Sequence, residues 1–216
     1  MNKNIIITIG RQFGSGGHEV GNRLAEKLDI PLYDHNLIRM AAKELKVSDE
    51  EASRVDETIL GKFLSAYVVS SGTYTTFMSN GEYEAVLSDR MYDTQSQIIQ
   101  KLAERSSCIF VGRCADYVLG DYSNCINAFV YAYKEDRIRR IMKIYHLEKK
   151  EAADKVKKVD RDRRQYYETH TGREWGSIEA QEMMFNASLM GVDGVVDALE
   201  AIYNKWGQLE KDGVNP

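Results

Sequence analysis

The residues best suited to chemistry lie near the N-terminus, in the stretch Ile5–Gly17, IIITIGRQFGSGG. An apolar β-branched run, Ile5 to Ile9, breaks at Gly10 into a loop holding Gly14, Gly16 and Gly17. A helical pattern follows at once, with Val20, Leu24 and Leu28 recurring every fourth residue. Strand, glycine-rich turn and helix together aim several backbone N–H groups and a helix N-terminus at one point, which suits a phosphate. The ordinary phosphate loop reads G-x-x-x-x-G-K-[ST], its lysine reaching the terminal phosphates and its hydroxyl helping to hold Mg²⁺. Here five residues separate Gly10 from Gly16, Gly17 stands at the lysine position, and His18-Glu19 follows where a hydroxyl is expected. The bland alternative is a glycine-rich turn that binds nothing. Arg11 offers a cation near the missing lysine, with a side chain long enough to fold back over the loop; otherwise it points to solvent or pairs with an acid such as Glu19.

Other charged residues sit at element ends. Asp34 closes the short extended stretch Ile30–Tyr33 and either contacts a ligand or caps the next helix. Arg113 follows Gly112 at the end of the apolar run Cys108–Val111. Asp116, three residues on, either takes a polar role beside Arg113 or caps the Tyr117–Leu119 turn. From Arg137 to Arg164 twelve Lys/Arg face five Asp/Glu, a balance of +7 in a chain of net charge −4. Most of those lysines read as a solvated helix face. Lys157, Arg161 and Arg164 share one face by spacing, and the clustered Arg161, Arg163 and Arg164 are suited to fork onto phosphate oxygens.

These residues need elements to place them. Apolar runs at 5–9, 107–111, 127–132 and 183–186 predict strands, and the segments between them carry helical periodicity. Strands alternating with helices imply a parallel sheet covered on both faces, with ligands at the C-terminal strand edges. Ile38, Ala41, Ala42 and Leu45 predict one helix, and Ser48-Asp49-Glu50-Glu51 a capping box opening another toward Leu64. Residues 65–90 are polar and turn-rich, which predicts a mobile binding loop, with helix resuming from Tyr92. Val192, Val195, Val196 and Leu199 predict a closing helix, and the tail from Gly207 reads as frayed.

Composition narrows the class. At 216 residues, with 43% hydrophobic and 29% charged residues, the chain reads as one sizeable soluble globular core. Cys108, Cys114 and Cys125 form no C-x-x-C pair, so reduced thiols in a cytoplasmic protein are expected and no metal site is. No apolar run approaches the ~20 residues of a membrane span, and MNKN runs straight into a strand without a signal peptide. A local basic face on an acidic chain, with no stacking motif beside it, argues against a nucleic-acid partner.

Taken in order, GRQFGSGGHEVGNRLAEKL, IPLYDHNLI, SSCIFVGRCADYVL, VDRDRRQYY with TGREWG, and NASLMGVDGVVDAL carry a resemblance over nearly the whole chain. The chain resembles the cytidylate kinase-like family, a branch of the nucleoside monophosphate kinases in the P-loop superfamily. The resemblance implies an α/β fold, a three-layer α/β/α P-loop NTPase with a parallel sheet. Its core would be residues 1–34, 94–133 and 177–206, its monophosphate-binding insertion about 35–93, and its helical lid about 134–176. It implies ATP and Mg²⁺ as cofactors and a small-molecule nucleotide as partner. Gly14, Ser15, Gly16, Gly17 and His18 would hold the donor phosphates, and Asp34, Arg113 and Asp116 the acceptor. Arg161 and Arg164 match lid arginines that close over the transferring group, and Arg11 is the expected substitute for the lysine. Departures are Gly17 for the lysine and Cys114 for the aspartate after Arg113. The reading is therefore a phosphotransferase acting on a nucleoside monophosphate, with CMP the inherited acceptor. The alternatives are a nucleotide-binding module without catalysis and a kinase of another small substrate.

Overall fold

The computed structural model describes residues 4–34 and 81–211, together with Leu37, Met40 and Lys43. The helix expected around Ile38–Leu45, the capping box at Ser48–Glu51 and the loop over 65–80 lie outside the described residues, apart from those single positions. Five strands form one sheet: β1 (Ile6–Arg11), β2 (Leu32–Tyr33), β3 (Cys108–Val111), β4 (Cys125–Tyr131) and β5 (Met183–Asn186). Their order is β2-β3-β1-β4-β5, and every neighbouring pair runs parallel.

Alternation along β1 separates two cores, because successive strand residues face opposite sides. Ile5, Ile7 and Ile9 pack with Val20 and Leu24 of α1 (Gly17–Leu28) and with Val195, Val196 and Leu199 of α6 (Ala187–Lys211). Ile6, Cys108 and Phe110 face the other way. They meet Ile98, Ile99 and Leu102 of α2 (Gly81–Arg105) and Leu119, just past α3 (Ala115–Val118). The architecture is thus the expected three-layer α/β/α arrangement. Two further helices, α4 (Lys134–Tyr145) and α5 (Lys149–Thr171), form a hairpin around their own core of Ile138, Ile141, Ala152, Val156 and Val159. Among the described residues, no helix is long and apolar enough to cross a membrane.

Two boundaries differ from expectation. The first strand does not stop at Gly10: Gly10 and Arg11 pair with Phe129 and Val130, because β4 continues far enough to partner them. Arg11 is consequently a strand residue with a fixed direction. The second is α2, which starts at Gly81 rather than Tyr92. Glu82, Glu84, Ala85 and Leu87 are good helix formers, and the turn signals Ser79-Asn80-Gly81 stop just where the helix begins.

Candidate active site

The glycine-rich turn joins β1 to α1 as the sequence requires. Gly14 and Gly16 take φ of +78° and +92°, where a side chain is strained. Close approach excludes one as well. A Cβ on Gly14 would stand 2.9 Å from the Arg137 carbonyl of α4, and one on Gly16 would stand 3.0 Å from Val192 of α6. Ser15 is buried and turns its hydroxyl inward, donating from Oγ to the Gln12 carbonyl at 2.9 Å. The Ser15 N–H goes to that same carbonyl at 3.3 Å. Ser15 therefore shapes the loop rather than facing a ligand, and the open surface of the turn is backbone from Gly16 into the first turn of α1.

Gly17 explains the missing lysine. A Cβ there would lie 2.5 Å from Arg11 Cβ and 3.1 Å from Arg11 Cγ. Arg11 Cβ is fixed by strand pairing, so no side chain fits at position 17 while Arg11 keeps its own. The arginine stem runs across the start of α1, past Gly17, toward the end of β3. Its guanidinium lies against Gly112 at the end of β3, where a Cβ would collide with Arg11 Nη1. Glu19 pairs with Arg23 on its own helix and with Arg140 of α4.

Around Gly112 the backbone is unusual. Gly112, Arg113 and Cys114 take φ of +74°, +63° and +54°, three left-handed residues in succession. Backbone strain of this kind in non-glycine residues persists only where the surroundings enforce it, and it clusters at functional sites. The bend opens a pocket at the C-terminal edge of the sheet. Its wall includes Arg11, Arg113, Asp116, Phe129, Arg163 and Trp175. Phe129 forms the floor, tucked beneath Gly10 and Gly176, where a Cβ would stand 2.6 Å and 3.0 Å from its ring. Trp175 meets that ring edge-on at 5.5 Å.

Asp116 lines this pocket and is buried. Its Oδ2 accepts from Tyr167 Oη at 2.7 Å and from Gln181 Nε2 at 3.0 Å. Burial raises its pKa, and these two hydrogen bonds partly oppose the rise. Bonds from its own N–H and that of Tyr117 also oppose the rise. Asp34 does something the sequence did not suggest. Its buried carboxylate accepts from His18 Nε2 at 2.8 Å, while Asn22 Nδ2 donates to His18 Nδ1 at 3.3 Å. His18 at the start of α1 and Asp34 at the end of β2 thus form a pair beside the loop.

The expected lid arginines are not at the loop. Arg161 and Arg164 have side chains 66% and 57% exposed. Arg161 pairs with the adjacent Asp162 at 3.2 Å, and Arg164 lies 5.9 Å from the Trp175 ring centre. Both border a shallow groove with Gln165, Glu168 and Thr169. The arginines that reach the loop are Arg163, which the sequence groups with Arg161 and Arg164, and Arg137 and Arg140, which it does not single out. Arg140 Nη1 lies 3.5 Å from where a Gly16 Cβ would be, and Arg163 Nη1 donates to the Arg11 carbonyl at 2.9 Å. The signal for Arg163 was present: it lies seven residues after Val156 and four after Val159, on the apolar face of α5.

Comparison with known proteins agrees with this geometry. The sequence pattern of the cytidylate kinase-like family is matched over residues 6–189. The chain belongs to that family. Curated proteins gave no match to the sequence. An uncharacterized protein from Eubacterium ventriosum has a similar solved structure, at 27% identity and a TM-score of 0.68, covering 93% of this chain and 98% of that one. The protein TT1252 from Thermus thermophilus is similar at 18% identity and a TM-score of 0.52, over 94% and 97% of the two chains. A shikimate kinase from Bacteroides thetaiotaomicron follows at 15% and 0.50, over 93% and 98%. The last two show the fold alone. Membership of a kinase-like family, with a glycine loop at the first strand exit, supports a phosphotransferase of the kinase type.

Proposed function

We propose that this protein transfers the terminal phosphate of ATP to a small acceptor bound in the pocket at the end of β3. One observation carries the reading: Arg11 runs from the start of α1, beside the phosphate loop, to Gly112 in the pocket wall. A cation spanning the donor and acceptor sites lies where negative charge must be neutralised during transfer.

The loop fits polyphosphate, because Gly14 and Gly16 leave no room for Cβ atoms and the first turn of α1 presents its N–H groups beyond them. ATP with Mg²⁺ would supply the phosphoryl group. Gly16, Gly17 and His18 would hold its phosphates, with Arg140 turning toward them from Glu19. Arg11 would bind two oxygens in a plane, where lysine would give one point charge. Arg113 would orient the acceptor, and Asp116 would hold the pocket wall through Tyr167 and Gln181. Arg161 and Arg164 border the outer groove, from which they would reach the transferring group only on closure. The acceptor we favour is a nucleoside monophosphate, with CMP first among them because the family bears that name. Its phosphate is already anionic, so the chain need supply no strong base. The protein is read as cytoplasmic, without nucleic-acid or membrane partners.

The test is a panel of ribo- and deoxyribonucleoside monophosphates with ATP and Mg²⁺, read by separating products. The proposal expects ADP and one diphosphate product, CMP or dCMP being the best acceptor. A panel that yields no diphosphate, while ATP still binds, would favour a nucleotide-binding module.

A further inference from the structure

The phosphate loop is gripped from outside. Phe13, the middle one of the five residues between Gly10 and Gly16, donates its N–H to Asp160 Oδ1 of α5 at 2.7 Å. Its carbonyl accepts from Arg137 Nη1 of α4 at 3.3 Å, and Arg137 is itself ion-paired with Asp160. Two residues earlier, the Arg11 carbonyl accepts from Arg163 Nη1 of α5. The Arg163 guanidinium also lies 5.6 Å from the centre of the Phe13 ring. That ring is only 6% exposed, packed in the hairpin core with Ile138, Ile141, Val156 and Val159. Gly14 then passes so close to α4 that a Cβ would meet the Arg137 carbonyl.

We propose that Asp160 and Arg163 are positioning residues for the phosphate loop, and that the α4–α5 hairpin is the loop's scaffold. Swinging the hairpin away would expose the Phe13 ring and break the hydrogen bonds that Asp160, Arg137 and Arg163 make to the loop backbone, both unfavourable. The arrangement also assigns the N–H of Phe13 to Asp160, so the donors facing an anion come from the residues that follow it. This inference rests on the phosphate-loop reading above.

Two readouts on the full chain separate it from that reading: amide hydrogen exchange over residues 12–17, and calorimetric binding of ATP with Mg²⁺. Asp160→Ala is expected to speed exchange in that segment about tenfold, one lost hydrogen bond's worth, while β1 and β3 stay protected. ATP affinity should fall about tenfold with it. Asp160→Asn keeps an acceptor for the Phe13 N–H and should show smaller changes in both. Arg163→Ala, which leaves Asp160 in place, should loosen the loop independently. Unchanged exchange over 12–17 in both Asp160→Ala and Arg163→Ala would overturn the proposal. So would a loosened loop that binds ATP as tightly as the wild type. If the wild type binds no ATP, the functional reading fails, and the exchange comparison alone decides whether α5 holds the loop.

Discussion

At the scale of single residues, the exchange of lysine for glycine at position 17 and the presence of Arg11 are one feature. Arg11 Cβ lies 2.5 Å from where a Gly17 Cβ would be, and it cannot move without disturbing the pairing of β1 with β4. Placing the ordinary phosphate-loop lysine there alone should therefore harm the protein. Gly17→Lys is expected to destabilise it by about 1–3 kcal/mol, as overpacking does. That corresponds to roughly 2–4 °C of melting temperature per kcal/mol in a domain of this size. The same substitution combined with Arg11→Gly removes the opposing Cβ and should recover much of the loss. Thermal melts of the two variants check this, and additive losses would contradict it. The sequence exposed the departure at Gly17 and the nearby cation, but not their collision. That depends on strand pairing continuing through Gly10, and β4 sets its length.

At the scale of elements, what was legible followed from periodicity. Val20, Leu24 and Leu28 fixed the inward face of α1, and the apolar runs fixed the strands. Arg161, Arg163 and Arg164 stand out in the sequence by their charge, whereas the phase of α5 is set by Val156, Val159 and Tyr166, all buried. That phase turns Arg163 inward and leaves the other two outside. The same face carries His170, whose side chain is 6% exposed and stacks on Tyr92 of α2 at 4.4 Å with rings nearly parallel. Burial lowers the His170 pKa below its ordinary 6.5, while the carboxylates of Asp89 and Asp93 oppose the shift. With the folded pKa below the unfolded one, the unfolded chain takes up the proton first. The stability His170 gives is present above pH 6.5 and is lost as pH falls through the window below it. His170→Phe keeps a stacking ring and removes the titration. Its melting temperature should fall less steeply with acid than that of the wild type, and parallel curves would contradict the α2–α5 account.

At the scale of the whole molecule, the sheet order β2-β3-β1-β4-β5 puts the exits of β1, β2 and β3 side by side. Their loops carry the glycine turn, Asp34, and Arg113 with Asp116, so residues far apart in sequence meet at one edge. The fold class and this convergence were readable because parallel α/β sheets bind ligands at their C-terminal edges. The contacts of Asp34 with His18, and of Asp116 with Tyr167 and Gln181, were not, since each joins segments that only tertiary packing brings together. In the function proposed above, Arg11 does the work of the absent lysine between donor and acceptor. The measurement that tests it most directly is phosphoryl transfer from ATP to the best acceptor of the monophosphate panel, in wild type, Arg11→Lys and Arg11→Ala. Expected are transfer by the wild type, a loss of roughly 10²- to 10³-fold in Arg11→Ala, as for other lost transition-state donors, and partial rescue by Arg11→Lys. Equal transfer by wild type and Arg11→Ala would contradict it.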